Sequence, residues 1–261
     1  MGSISVGERV LIPHSVHGSV YVDGWFEGIS WNCDESFVAY VAEEPSSSRP
    51  TFNSLGYNKV GSTDKDCGSW KGRGDWEEEW GEAYAGKRKP ALFIIRIDSG
   101  EVRAVEGIPK SLSVGQVVWA PSMESSDQYL VFVAWSADKR KLGIKYCYNR
   151  PCTLYAILAP LHKSGVKELE LKDDSIEEFS LLNLTKSLSS AFFPQFSPDG
   201  KLLVFLSAKS SVDSGAHSST NSLHRINWLT THGKLSPSEN IVDVVGYHSL
   251  CVHSVHNEPC C

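Results

Sequence analysis

The amino-acid sequence predicts an all-β fold: a partial β-propeller of about three blades, each an antiparallel four-stranded sheet, set in an open arc. Two observations predict it. A cassette of large aromatic, turn, apolar strand, loop and outer strand recurs three times. Helix-period patterns are scarce. The spacing is roughly 80 residues per unit, against ~40–50 in compact propeller repeats, so the intervening loops are long.

The first copy places Trp31 before a turn over 32–36 and the strand 37–42. Its outer elements are 91–97, the turn Asp98-Ser99-Gly100, and 101–105. The second places Trp119-Ala120-Pro121 before a longer turn and the strand 129–135, with outer elements at 152–158 and 166–171. The third runs from Phe196 through Ser197-Pro198-Asp199-Gly200 to the strand 202–206, then 223–228 and 241–245. Pro198 pre-sets the φ of a turn's first central position, and Gly200 accepts positive φ at the exit. The strand 202–206 is apolar throughout, as a strand covered on both faces would be. Trp31, Trp119 and Phe196 are expected in the blade cores.

Two stretches fit the repeat less well. The segment 45–70 reads as a polar loop. In 75–84, Trp76, Trp80 and Tyr84 share a face at i, i+4, i+8 of a helix, with Asp75 and Glu78 resembling a capping box. The same aromatics share a face at period 2, and a strand here would form a hairpin with 91–97. The strand reading suits the repeat better. After Val245 the alternation stops: 246–261 holds three of nine histidines and three of seven cysteines.

Composition excludes several function classes. A formal net charge of −6 and a pI near 5.8 give no footprint for nucleic acid or an acidic lipid surface. No apolar run approaches the roughly 18 residues a bilayer-spanning helix needs. The N-terminus lacks a signal-peptide pattern, and Met1-Gly2 lacks the Ser or Thr that myristoylation wants at Val6. The sequon at Asn183 has no meaning without secretion. Seven cysteines, four scattered singly at Cys33, Cys67, Cys147 and Cys152, fit free thiols in a reducing, cytoplasmic setting.

Candidate chemistry is sparse. A serine hydrolase of the α/β class needs a G-x-S-x-G nucleophile elbow, which presents the serine beside its oxyanion donors. None occurs in the 261 residues. Asp213, Ser214 and His217 stand close together, yet triad partners are normally gathered from distant segments, so these read as inter-strand loop residues. Asp75, Glu77, Glu78, Glu79 and Glu82 read as a solvated face. Gly72-Arg73-Gly74 lacks the third glycine and the strand–helix frame of a dinucleotide loop. Cys251, His253, His256, Cys260 and Cys261 are zinc-capable types, but the short tail offers no scaffold to fix tetrahedral geometry. No catalytic residue, cofactor or metal is expected.

One resemblance covers about residues 15–245. Asp75-Trp76 to Glu82, Gly86-Lys87, and the run to Ser99-Gly100 resemble a region of acylamino-acid-releasing enzymes. The likeness continues through 105–109, Gly115-Gln116, 119–121, 142–150 and Leu154-Tyr155. Its most specific part runs from 205–208 through 213–217 to 223–226. The resemblance implies an N-terminal propeller that caps a C-terminal α/β-hydrolase domain with a Ser, Asp, His triad, which releases N-acylated residues from blocked peptides. The propeller would gate access to that domain, with short N-acylated peptides as substrates, no nucleic acid or membrane partner, and a family-type homo-oligomer. None of the matching positions belongs to the triad. Glu82, in the best-matched stretch, is the candidate gating carboxylate. Residues 1–245 are thus expected to be a propeller portion lacking the catalytic domain, and 246–261 a divergent, disordered tail. The alternative is a free-standing, non-catalytic interaction module.

Overall fold

A computed structural model describes residues 11–45, 51–53, 56–58, 80–121, 128–136, 141, 143–144, 149–161, 181–216, 221–228, 230–231, 234–235 and 241–245. Along the chain lie β1 (Ile29–Trp31), β2 (Phe37–Glu43), β3 (Thr51–Asn53), β4 (Gly56–Asn58), β5 (Pro90–Arg96) and β6 (Val102–Ala104). Then come β7 (Leu112–Trp119), β8 (Tyr129–Ser136), β9 (Cys152–Leu158), β10 (Leu182–Asn183), β11 (Phe192–Phe196) and β12 (Leu202–Ser207). A short helix α1 (Lys209–Ser214) precedes β13 (Ser222–Asn227), β14 (Thr230–Thr231), β15 (Lys234–Leu235) and β16 (Val242–Val245).

Twelve of the strands form three four-stranded antiparallel sheets, ordered β1-β2-β5-β6, β7-β8-β9-β10 and β11-β12-β13-β16. Each runs outward from its first strand, as a propeller blade does. β7 contacts β1, β2 and β5, while β11 contacts β7, β8 and β9, so the second sheet lies between the other two. All-β partial blades are what the cassettes predicted.

The strands' composition explains their burial. β2 and β8 are apolar at nearly every position and buried on both faces. β12 differs from expectation: Leu203, Phe205 and Ser207 are buried, but Leu202, Val204 and Leu206 are half-buried. Its first face, through Leu203 and Phe205, joins the main core cluster, and its other face has only partial cover. The first sheet's outer face, in contrast, is covered at Tyr40 and Phe93, though not at Ile29 and Trp31. His17 packs on Tyr40 and Phe93, with ring centroids 5.4 and 4.8 Å away. Its Nδ1–H donates to Gly18 O at 2.7 Å, so Nε2 is the acceptor for the Tyr40 hydroxyl at 2.8 Å.

Aromatic side chains fill the junction of the first two sheets. Phe26, fully buried, meets Tyr84 at 4.9 Å and Trp135 at 5.3 Å, both edge-on, the geometry ring quadrupoles prefer. Gly115 makes this approach feasible, since a Cβ there would lie 2.6 Å from Trp25 O and 2.7 Å from the Phe26 Cα.

Other sequence expectations also need correction. Trp31 is 54% exposed, whereas Trp119 is buried and stacks on Phe37. Trp119 reaches back onto the preceding sheet; Trp31, in the first sheet, has none behind it among the described residues. Among the described residues 80–84 no strand pairs with 91–97, because β5 has both edges occupied by β2 and β6, and 75–79 lie outside the described residues. Within the described part of that segment, Glu82–Tyr84 is a single 3₁₀ turn. Phe196 is half-buried, packed edge-on against Trp228. The outer strand beside β9 is β10, with 166–171 outside the described residues.

Candidate functional site: the inner-strand wall

The first strands of the three sheets, β1, β7 and β11, converge on one wall. Each breaks its regular pairing at a corresponding place. In the first sheet, Val20 bridges Ala42 beside the β1–β2 pairing, and 22–28 loops out between them. In β7 the register shifts between Gly115 and Val118, with Gln116 at φ 52°. In β11 it shifts between Phe192 and Gln195, with Phe193 at φ 53°. Bulges of this kind re-aim side chains and end pairing, and they favour sites over plain scaffold.

Gln116 joins the three irregularities. Its side chain is buried. Oε1 accepts Phe193 N–H at 2.7 Å, Nε2 donates to Gly24 O at 3.3 Å, and its own N–H donates to Glu27 O at 3.0 Å. Trp119 N–H donates to Ser30 Oγ at 2.8 Å, adding a second tie between the first two sheets. Between the loop and the two bulges opens a cleft of about 350 Å³ lined by residues that include Val22, Glu27, Ile29, Gln116, Phe193 and Gln195. Val22, Ile29 and Phe193 are 74, 68 and 41% exposed. Glu27 is the single charged residue of the lining, and its carboxylate has no ion-pair partner among the described residues.

Glu82 sits on a turn anchored from below. Gly81 and Glu82 have φ 68° and 52°, and the Glu82 side chain is exposed. Trp80 Nε1–H donates to Ser113 Oγ at 3.1 Å, and the buried Tyr84 hydroxyl donates to Asp23 Oδ1 at 2.9 Å. Asp23 Oδ1 also accepts the N–H groups of Trp25 and Phe26, and Lys87 Nζ lies 3.7 Å from Oδ2 and 5.0 Å over the Tyr21 ring. Burial first, and then nearby carboxylates, hold the Tyr21 and Tyr84 hydroxyls protonated far above the ordinary tyrosine range. The Glu82 carboxylate approaches Gly143, where a Cβ would come within 3.0 Å of Oε1.

The other candidates fare differently. Asp213 Oδ1 accepts Ser189 Oγ–H at 2.8 Å, while Ser214 Oγ–H donates to Ser210 O at 2.5 Å. Both lie at the end of α1, closed by Gly215 at φ 75°. A short helix, not only a loop, joins β12 to β13. Burial raises the Cys152 thiol to about 11, which suits a packing role. His217, the carboxylates at 75–79, Gly72-Arg73-Gly74, and Cys251, His253, His256, Cys260 and Cys261 lie outside the described residues. No helix among the described residues is long and apolar enough to cross a membrane. Sequence reasoning passed over Glu27 and gave Gln116 no role. The signal for Gln116 was Gly115, a glycine inside a strand pattern, which marks a bulge.

Comparison with known proteins places this architecture. The family described as "Acylamino-acid-releasing enzyme, N-terminal domain" matches residues 1–253. The acylamino-acid-releasing enzyme of Arabidopsis thaliana is 65% identical over 235 residues, 90% of this chain and 30% of that protein. Acylamino-acid-releasing enzyme 1 of Oryza sativa subsp. japonica is 58% identical over 250 residues, 94% of this chain and 32% of its own length. The Mus musculus enzyme is 31% identical over 237 residues, 88% and 28% of the two chains. The chain therefore spans about a third of the length of these relatives. With a profile match over nearly all its residues, and with its sheets built as blades, the chain belongs to the acylamino-acid-releasing enzyme N-terminal domain family.

Proposed function

We propose that the chain is the propeller portion of an acylamino-acid-releasing enzyme. Its inner wall controls how short N-acylated peptides reach a C-terminal α/β-hydrolase unit carried by the longer protein. The observation that carries this reading is the family match joined to three blades whose inner strands meet at one cleft. The chain itself supplies no nucleophile elbow. It needs no cofactor or metal, and residues 1–245 form the propeller portion with 246–261 as an appended tail. The setting is the cytoplasm, in keeping with the unbridged Cys33 and Cys152.

Glu82 is the proposed gating carboxylate, because its positive-φ turn is braced by Trp80 and Tyr84 while the carboxylate stays exposed. The 261-residue chain should leave acetyl-alanine p-nitroanilide intact, and a longer protein joining it to a G-x-S-x-G segment should cleave it. Turnover by the short chain overturns the assignment. In the longer enzyme, Glu82→Gln should lower kcat/KM on acyl-peptides roughly two- to fivefold, the range of a single exposed charge contact. Unchanged kinetics would remove Glu82 from the gate.

A further inference from the structure

Resting on the function proposed above, we propose that the inner-strand cleft binds the free N-terminal ammonium of a peptide with an apolar first side chain. That ligand is the product of the proposed hydrolysis, not its substrate. In the reaction water adds across the peptide bond after the blocked residue. The C–N bond breaks, the hydroxyl goes to the acyl carbon, and the proton goes to the departing nitrogen. The blocked residue leaves as a carboxylate. The remaining peptide gains an α-amine, which is mostly protonated at neutral pH given a pKa of about 7.7–8.0.

The cleft matches that new charge. Glu27 is its single charged residue and has no cationic partner among the described residues. Around it stand Val22, Ile29 and Phe193, apolar and substantially exposed, a surface that gains by covering. A volume of about 350 Å³ accommodates one large side chain with its adjoining backbone. A blocked peptide offers Glu27 no charge, and a peptide's C-terminal carboxylate is repelled by it. A divalent cation fits poorly too, because it takes roughly six to eight oxygens and the lining holds one carboxylate. The buried Gln116 amide fixes the wall, so the incoming ammonium meets a preformed surface. The cleft thus favours what the reaction releases and draws it away from the blocked form.

The test is calorimetric titration of the 261-residue chain at pH 7 with Phe-Ala-Ala-amide and with its N-acetylated form. The free-amine peptide should bind about three- to fivefold more tightly, as one exposed ion pair provides. Glu27→Gln should erase the difference. Glu106→Gln, an exposed carboxylate outside the cleft, should preserve it. Equal affinities, a preference that survives Glu27→Gln, or no binding of either peptide at millimolar concentration would each overturn the assignment. The access role is read separately, from hydrolysis by the longer enzyme, so either can fail without the other.

Discussion

Gln116 shows how much one amide can connect. Its partners, Phe193 and Gly24, lie 77 and 92 residues away in sequence, one in the third sheet and one in the loop of the first. Gln116→Leu keeps the volume but leaves a backbone N–H and a carbonyl without their bonds, at a cost of about 2 kcal/mol. For a chain of this size that corresponds to a fall in Tm of roughly 4–8 °C. Hydrogen exchange at Phe193 should quicken more than exchange in β8, and an unchanged Phe193 rate would show the tie to be idle. Local sequence made the bulge legible through Gly115 but not the partners, because pairings across 77 and 92 residues leave no periodic trace. Trp31 misled for a related reason. Its pattern matches that of Trp119, and only the neighbouring sheet decides that one is buried and the other exposed.

At the scale of the element, the turn before the second strand is built twice with different residues. In the third sheet Ser197 Oγ accepts Leu202 N–H at 2.9 Å, and Gly200 takes φ 71°. In the first, Asn32 Oδ1 accepts Phe37 N–H at 2.9 Å, and Glu35 takes φ 60° at the matching place. The left-handed conformation costs a non-glycine residue about 1–2 kcal/mol, partly offset by glycine's larger loss of chain entropy. Gly200→Ala should therefore destabilise by about 1 kcal/mol, and Glu35→Gly should stabilise by up to about 1 kcal/mol, as urea midpoints would record. A loss of stability in Glu35→Gly would end the equivalence. This turn was readable in advance in the third copy, where Ser-Pro-Asp-Gly carries its own chemistry. In the first copy the turn's place over 32–36 was evident, but not that Glu35 would take the left-handed position. The 3₁₀ turn at Glu82–Tyr84 stayed hidden because three aromatics at fourfold spacing fit two periods at once.

For the whole molecule, the three-sheet arc was the most legible feature, since burial on both faces of β2 and β8 writes itself as continuous apolar sequence. What the sequence could not show is that the two ends differ. Val204, Arg225 and Val242 lie in register across the outer face of the third sheet, with Val242 41% and Val244 48% exposed. An apolar face beside an edge strand invites association. Val242→Lys should reduce concentration-dependent light scattering while shifting Tm by less than roughly 2 °C, as a surface change of ±0.5 kcal/mol would. Scattering equal to that of the parent chain would place the association elsewhere. At the opposite end His17 caps Tyr40 and Phe93 while Ile29 and Trp31 on the same face stay exposed. A surface docking over Tyr40 and Phe93 must first displace His17, whereas one docking over Val242 and Val244 needs no such opening, so the two ends differ in how fast they can be engaged.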